Sequence, residues 1–160
     1  MCRYVVLPLV AVFALLSAAP AGDPKGKLTA EEQRILDLTN EARKKEKLEP
    51  LKLQPALTAA ARKHAGLMAK HKKLAHDFEG QTHRDRLKEV GYNYSEFGAN
   101  VISTNDKGAK LPDTVVAEWL KSDINRANML DKRFTEAGVA VAVGEDGNTY
   151  VTLLFGTPRN

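Results

Sequence analysis

Four histidines, His64, His71, His76 and His83, are the side chains best suited to move protons or hold a metal near neutral pH. Their spacing matches no metal-binding signature. His64 falls on the apolar face of a helical pattern and reads as a hydrogen-bonded packing residue. His71 and His83 read as loop and helix-start residues without a partner at ligand spacing, and His76 sits in a polar loop. Thiol chemistry has no candidate beyond Cys2, the only cysteine. Nucleophilic chemistry would fall to Ser103 or Ser122. Neither has an evident His–Asp set in the sequence, although His76 could reach Ser122 in space. Asp77, Glu96, Glu118 and Asp123 are the acids available as substitute ligands. All four are expected to be solvated, with Glu118 placed to approach a cleft from its helix.

The densest polar constellation is Trp119-Leu-Lys-Ser-Asp-Ile-Asn-Arg-Ala-Asn-Met-Leu-Asp131, which holds the only Trp. Two asparagines and an arginine sit among Ile124, Ala127, Met129 and Leu130, so some must face inward and find hydrogen-bond partners. Asn40, Arg43, Asn100, Arg126 and Asn128 read as structural. A buried Asn can satisfy backbone groups on both its donor and acceptor sides, and Arg can fork onto oxygens. Trp119 reads as core with an N–H that needs an acceptor.

These residues hang on a short series of elements. Thr29-Ala-Glu-Glu32 is a capping box that opens a helix running to about residue 46, with Ile35, Leu38 and Ala42 on one stripe. Pro50 and Pro55 bracket an extended Leu51-Lys52-Leu53. A second helix spans about 55–70, with Leu57, Ala60, Ala61, His64, Ala65 and Met68 on its apolar face. Its alanines imply close packing against another element. A loop over 71–81 leads to a helix capped by Thr82 and ended by Gly91. Residues 97–103 read as a strand, 105–110 as a loop, and Pro112 opens a helix to about 121. Residues 138–143 and 149–155, joined by Glu145-Asp146-Gly147-Asn148, form a hairpin. Helices first, one strand in the middle and a closing hairpin imply a single α+β layered domain.

The first 21 residues carry Arg3, the apolar run 4–16 and a small-residue exit at Ala19-Pro20-Ala21, which reads as a secretory signal peptide. The run is too short for a spanning helix of about 20 residues. Residues 22–32 read as a short polar lead and 33–157 as the folded domain. Loss of the leader would remove Cys2 and leave no disulfide chemistry. It would also leave 23 basic against 20 acidic residues, a net charge of +3. That mild excess, with its lysines clustered at helix ends, excludes a nucleic-acid footprint.

The segment from Trp119 onward resembles the Trp-x-x-Ser-Pro-Gly-His-Arg-x-Asn-hydrophobic-Leu stretch of bacterial CAP domains, through Trp119, Ser122, Arg126, Asn128, Met129 and Leu130. That superfamily comprises the cysteine-rich secretory, antigen 5 and pathogenesis-related-1 (SCP-like) proteins. Further matches follow in order: Asn40-Glu41-Ala42-Arg43, Leu74-Ala75-His76, Asp85-Arg86-Leu87 with Gly91-Tyr92, Gly98-Ala99-Asn100-Val101, and Phe134 with Gly138 before the hairpin. The resemblance covers about residues 33–156. It implies an α-β-α sandwich around a small antiparallel sheet, and the lack of any cysteine beyond Cys2 of the expected leader points to the bacterial exported branch.

Members of that superfamily carry His, Glu and His in a central cleft, and some hold a divalent metal there. Carried over by position, only His76 is retained: the Glu is Ala99 and the second His is Asn125. The cleft residues implied are His76, Asn125, Ser122, Asn100, Arg126 and Glu118. Ala99 offers neither a ligand nor a base, and Asn125 is a weak ligand and no base. The resemblance therefore implies a degenerate cleft without cofactor, save weak divalent metal at His76. Asn125 would be free to hydrogen-bond His76. The expected function is an exported, monomeric, non-enzymatic binding module, secreted or periplasmic. Its ligand would be a small or lipid-like molecule, a cell-wall fragment or a protein partner, met at 103–111 and 121–131. The alternatives are a metal-dependent or serine-type hydrolase using His76 with substitute ligands, and a purely envelope-stabilising role.

Overall fold

The computed structural model describes residues 27–159. The expected signal peptide, 1–21, lies outside the described residues. Helix α1 (Ala30–Lys45) starts at the expected capping box: Thr29 accepts from the Glu32 N–H and Glu32 from the Thr29 N–H. Its last residues, Arg43, Lys44 and Lys45, suit the negative end of the helix dipole. After β1 (Lys52–Leu53) comes α2 (Pro55–His71), whose apolar stripe is buried as the sequence implies. Helix α3 (His83–Glu89) has a second capping box, between Thr82 and Asp85, and Gly91 at φ +70° ends it. The rest is β2 (Tyr94–Thr104), a short 3₁₀ turn (Gly108–Lys110), α4 (Leu111–Lys121), α5 (Asp123–Met129), β3 (Glu136–Val143) and β4 (Thr149–Pro158).

Four strands form one sheet in the order β1-β3-β4-β2. The three long strands pair antiparallel, as expected, and the two-residue β1 adds a parallel edge on β3. Side chains alternate across the sheet. Ala137, Val139, Val151, Leu153 and Phe155 pack with Ile35, Leu36, Val115, Val116, Trp119 and Met129. Ala140 and Leu154 pack on the other face with Leu57, Ala60, Ala61, Ala65 and Leu87. One layer is thus α1, α4 and α5, the other α2 and α3, with the sheet between. This is the α-β-α sandwich of an α+β domain.

Two differences bear on the site. Strand β2 begins three residues earlier than its sequence pattern suggests, because a register irregularity between Tyr94 and Glu96 carries the pairing with β4 onward to Pro158. The second half of the polar knot, to which the sequence pattern assigns no element, is a helix: Ser122 caps it, accepting from the Asn125 N–H at 3.4 Å.

Candidate functional site

Strand β2 is an edge of the sheet, and the residues singled out in the sequence lie on both of its faces. Gly98, Asn100 and Ile102 face α4 and α5, while Phe97, Ala99 and Val101 face the α2 side. On the first face three asparagines form a ladder. Asn100, wholly buried, donates through Nδ2 to the Asn125 carbonyl at 2.9 Å. Its Oδ1 accepts from Asn128 Nδ2 at 2.9 Å, and Asn128 also donates to the Ala99 carbonyl at 3.3 Å. Two side-chain amides thus seam α5 onto the edge strand, each using both polarities or two acceptors. Trp119, buried in the core as expected, donates a long bond of 3.4 Å to the Val101 carbonyl.

The knot is anchored from behind by α1. The guanidinium of Arg43 donates to the carbonyls of Glu49, Met129, Asp131 and Phe134 at 2.9–3.1 Å. Asn40 pairs with both backbone groups of Leu51, donating to its carbonyl at 3.1 Å and accepting from its N–H at 2.8 Å. The structural reading of Asn40, Arg43 and Asn128 matches these bonds.

On the other side, α2 ends at Lys72 in the left-handed conformation, φ 52°, and the chain enters the loop that holds His76. Buried Arg86 ties this loop down, donating to the Gln81 carbonyl at 2.9 Å and to the His76 carbonyl at 2.6 Å. His76 Nδ1 lies 3.0 Å from His83 Nε2, the two rings sharing a hydrogen bond whose direction depends on tautomer. His64 meets the same His83 ring edge-on, with centroids 4.4 Å apart, and lies 5.8 Å from Phe78.

This cluster corrects the sequence reading in three ways. His83 does start α3 as expected, but it is buried and has two imidazole neighbours rather than none. His64 is buried packing, as expected, but its two ring nitrogens and His83 Nδ1 lack a well-formed hydrogen bond. His76 bonds His83, and no hydrogen bond joins it to Asn125, whose carbonyl serves the amide ladder. The only sequence signal for His83 was the Thr82–Asp85 capping box. It fixes the start of α3 but not what crosses above it.

Burial holds His64 and His83 neutral. It pushes the His64 pKa down to about 4, with the Arg86 charge and His76 adding and the Ala75 backbone opposing. It pushes His83 down to about 3, with His64, Arg86 and His76 adding. Both folded values lie below the unfolded 6.5, so the unfolded chain binds more protons between them. Stability from these groups is complete above about pH 6.5 and is lost as the pH falls toward 4 and then 3. Each histidine is expected to cost about 2 kcal/mol between about pH 7 and pH 5. Denaturant midpoints measured across that range should fall steeply in wild type. In a His64→Leu/His83→Gln variant they should stay nearly flat, and an equal slope in both would refute the assignment.

The remaining candidates do not gather around His76. Arg126 is exposed and pairs with Glu46 at 3.2 Å, on the α1 side of the molecule, which removes it from a cleft role. Glu118 does not approach a cleft; it is exposed and pairs with Lys121 at 2.6 Å. Glu96 is exposed beside Arg133, and Asp77 and Asp123 are exposed. Ser122 is committed to its cap and has no bond to a histidine. Among the described residues, no group of three or more His, Cys, Asp or Glu comes together in a way that could hold a metal ion. A zinc site of the usual kind needs three protein ligands and an open position. Here Ala99 supplies no donor and Asn125 a weak one, so the donor set does not fit the metal that the resemblance implies.

Comparison with known proteins bears on the fold and on these positions together. Residues 36–155 match the family described as the cysteine-rich secretory protein family. The uncharacterized protein YkwD of Bacillus subtilis is 31% identical over 132 residues, covering 81% of this chain and 48% of that protein. The chain therefore spans about half the length of this curated relative. Among solved structures, an outer surface protein of Borrelia burgdorferi is similar with a TM-score of 0.73 and 20% identity, over 83% of this chain and 97% of that one. An extracellular SCP-domain protein of Bacillus anthracis is similar with a TM-score of 0.67 and 27% identity, over 82% and 45%. With the ordered motifs and the sandwich built on them, these likenesses settle the assignment: the chain belongs to the cysteine-rich secretory protein family, as a bacterial CAP (SCP) domain.

Proposed function

We propose that this domain works outside the cytoplasm as a non-enzymatic binding module of the cell envelope. One observation carries the reading. By the resemblance, the family's Glu and second His positions are Ala99 and Asn125, and the Asn125 backbone carbonyl accepts from Asn100 in the amide ladder, while His76 bonds His83. A reaction at this place would need a titratable group or an activated water near the reacting atom. His76 is the one such group at the family positions, and its Nδ1 is engaged by His83. What the scaffold keeps is a rigid presentation of polar groups and loops, which is what recognition requires. The signal-like leader and the likeness to an extracellular Bacillus anthracis protein support export. No helix among the described residues is long and apolar enough to cross a membrane.

The ligand would be a small or lipid-like molecule, a cell-wall fragment or a protein of the envelope. The test is co-sedimentation of the domain with purified cell-wall sacculi and with phospholipid vesicles, followed by mass spectrometry of the fragments and lipids. Binding with unchanged masses is the expected result. Release of new fragments by wild type but not by His76→Ala would instead favour a hydrolase.

A further inference from the structure

Every arginine among the described residues has its side chain bonded to protein oxygen except two. Arg34, Arg62, Arg126 and Arg133 each reach a carboxylate, and Arg43 and Arg86 reach carbonyls. Arg84 and Arg159 make no such side-chain bond, and both line the same open groove of about 620 Å³. Lys88 lines it too, four residues after Arg84 and hence on the same face of α3. Like charges at that spacing repel. The acids on the helix bond elsewhere: Asp85 accepts from Thr82 in the capping box, and Glu89 pairs with Lys63 and Gln81. Asp85 thus offsets part of the Lys88 charge without bonding any of the three cations. Three exposed cations from two distant parts of the chain thus converge without a carboxylate bonded to any of them among the described residues.

The groove also has an aromatic floor. Half-buried Tyr94 lines it, supported by Tyr92 stacked with its centroid 6.3 Å away and by Phe97 edge-on at 4.9 Å. Tyr92 is itself fixed, donating to Glu136 at 2.7 Å. The bond between the Arg159 N–H and the Asn93 carbonyl, at 3.1 Å, holds the two sides of the groove together. Two free guanidinium forks beside a packed ring suit an oxyanion; the fork fits carboxylate and phosphate alike, and the convergence of three cations matches the higher charge of a phosphate.

We propose that this groove, bounded by Arg84, Lys88, Arg159 and Tyr94, binds a phosphate-bearing ligand. The site is independent of the Ala99–Asn125 cleft, and the inference goes beyond the reading given above. The three cations supply the charge, and the Tyr94 face carries whatever part of the ligand adjoins the phosphate.

Pyrophosphate is the probe, titrated calorimetrically into the full chain at low ionic strength, where exposed charge pairs are least screened. Wild type is expected to bind saturably, with affinity falling at least tenfold in Arg84→Ser/Arg159→Ser. Lys44→Ser/Lys45→Ser, which removes the same charge from the exposed end of α1, should bind like wild type. All these side chains are exposed and unpaired, so circular dichroism should show both variants folded. Absence of saturable binding, or an equal loss in both double variants, would overturn the proposal. Citrate binding as tight as pyrophosphate would overturn the assignment to phosphate.

Discussion

Arg43→Ala is expected to destabilise the domain by about 4 kcal/mol, a large share of the 5–15 kcal/mol typical of a folded domain. Arg43 is 1% exposed and its guanidinium donates to four carbonyls on three segments: Glu49 in the loop after α1, Met129 and Asp131 at the exit of α5, and Phe134 just before β3. Truncation removes the Arg43 donor from the buried Met129 and Phe134 carbonyls, and each such orphan costs about 1–3 kcal/mol. The Glu49 bond is part-buried, and the Asp131 carbonyl still accepts from the Phe134 N–H. Burial lowers the Arg43 pKa from its ordinary value, with Asp131 opposing, yet the group remains charged near neutrality. Arg43→Lys keeps the charge but not the fork and should lose about half as much. Chemical denaturation reads both changes. A loss below about 1 kcal/mol for Arg43→Ala would mean the knot is held by other contacts.

Gly138→Ala should be worse still, by more than about 4 kcal/mol, with most of the protein failing to fold. A methyl at Gly138 would lie 2.1 Å from the Thr58 nitrogen and 2.2 Å from the Leu57 carbonyl carbon, both backbone atoms at the start of α2. Strand β3 is central, paired with β1 and β4, so it cannot retreat without breaking the sheet. Gly66 provides the control. It lies exposed inside α2 with nothing within 4 Å of an added methyl, so Gly66→Ala should stabilise by about 0.5–1 kcal/mol. Thermal unfolding of the two variants should move in opposite directions. A shared direction would contradict the placement of α2 on β3.

Much of this architecture was legible before any coordinates. The capping boxes at Thr29 and Thr82, the alanine face of α2 and the hairpin turn at 145–148 are local signals, written in residues a few positions apart. Asn40 and Arg43 were legible as structural because polar groups in an apolar stretch must find partners. What escaped was set by long-range packing. His64, His76 and His83 share no helical phase, and only the crossing of α2 over the loop and α3 brings their rings together. Arg126 shares the knot with Asn125 and Asn128, yet its turn of α5 points it outward to Glu46. Ile124 is likewise 77% exposed, although composition alone would place it inside. The groove at Arg84 and Arg159 joins residues 75 positions apart through the pairing of β2 with β4, which no local pattern reveals.

Calorimetric titration with Zn²⁺ near pH 7.5, on wild type, His76→Ala and His83→Ala, tests the central claim most directly. That claim is that the family's cleft has lost its metal-holding chemistry and kept its scaffold. The account predicts no saturable site tighter than about 0.1 mM in any of the three proteins, because two imidazoles without a third ligand hold zinc weakly. A micromolar site in wild type that disappears in both variants would contradict it, and would make His83 the ligand that replaces the missing histidine.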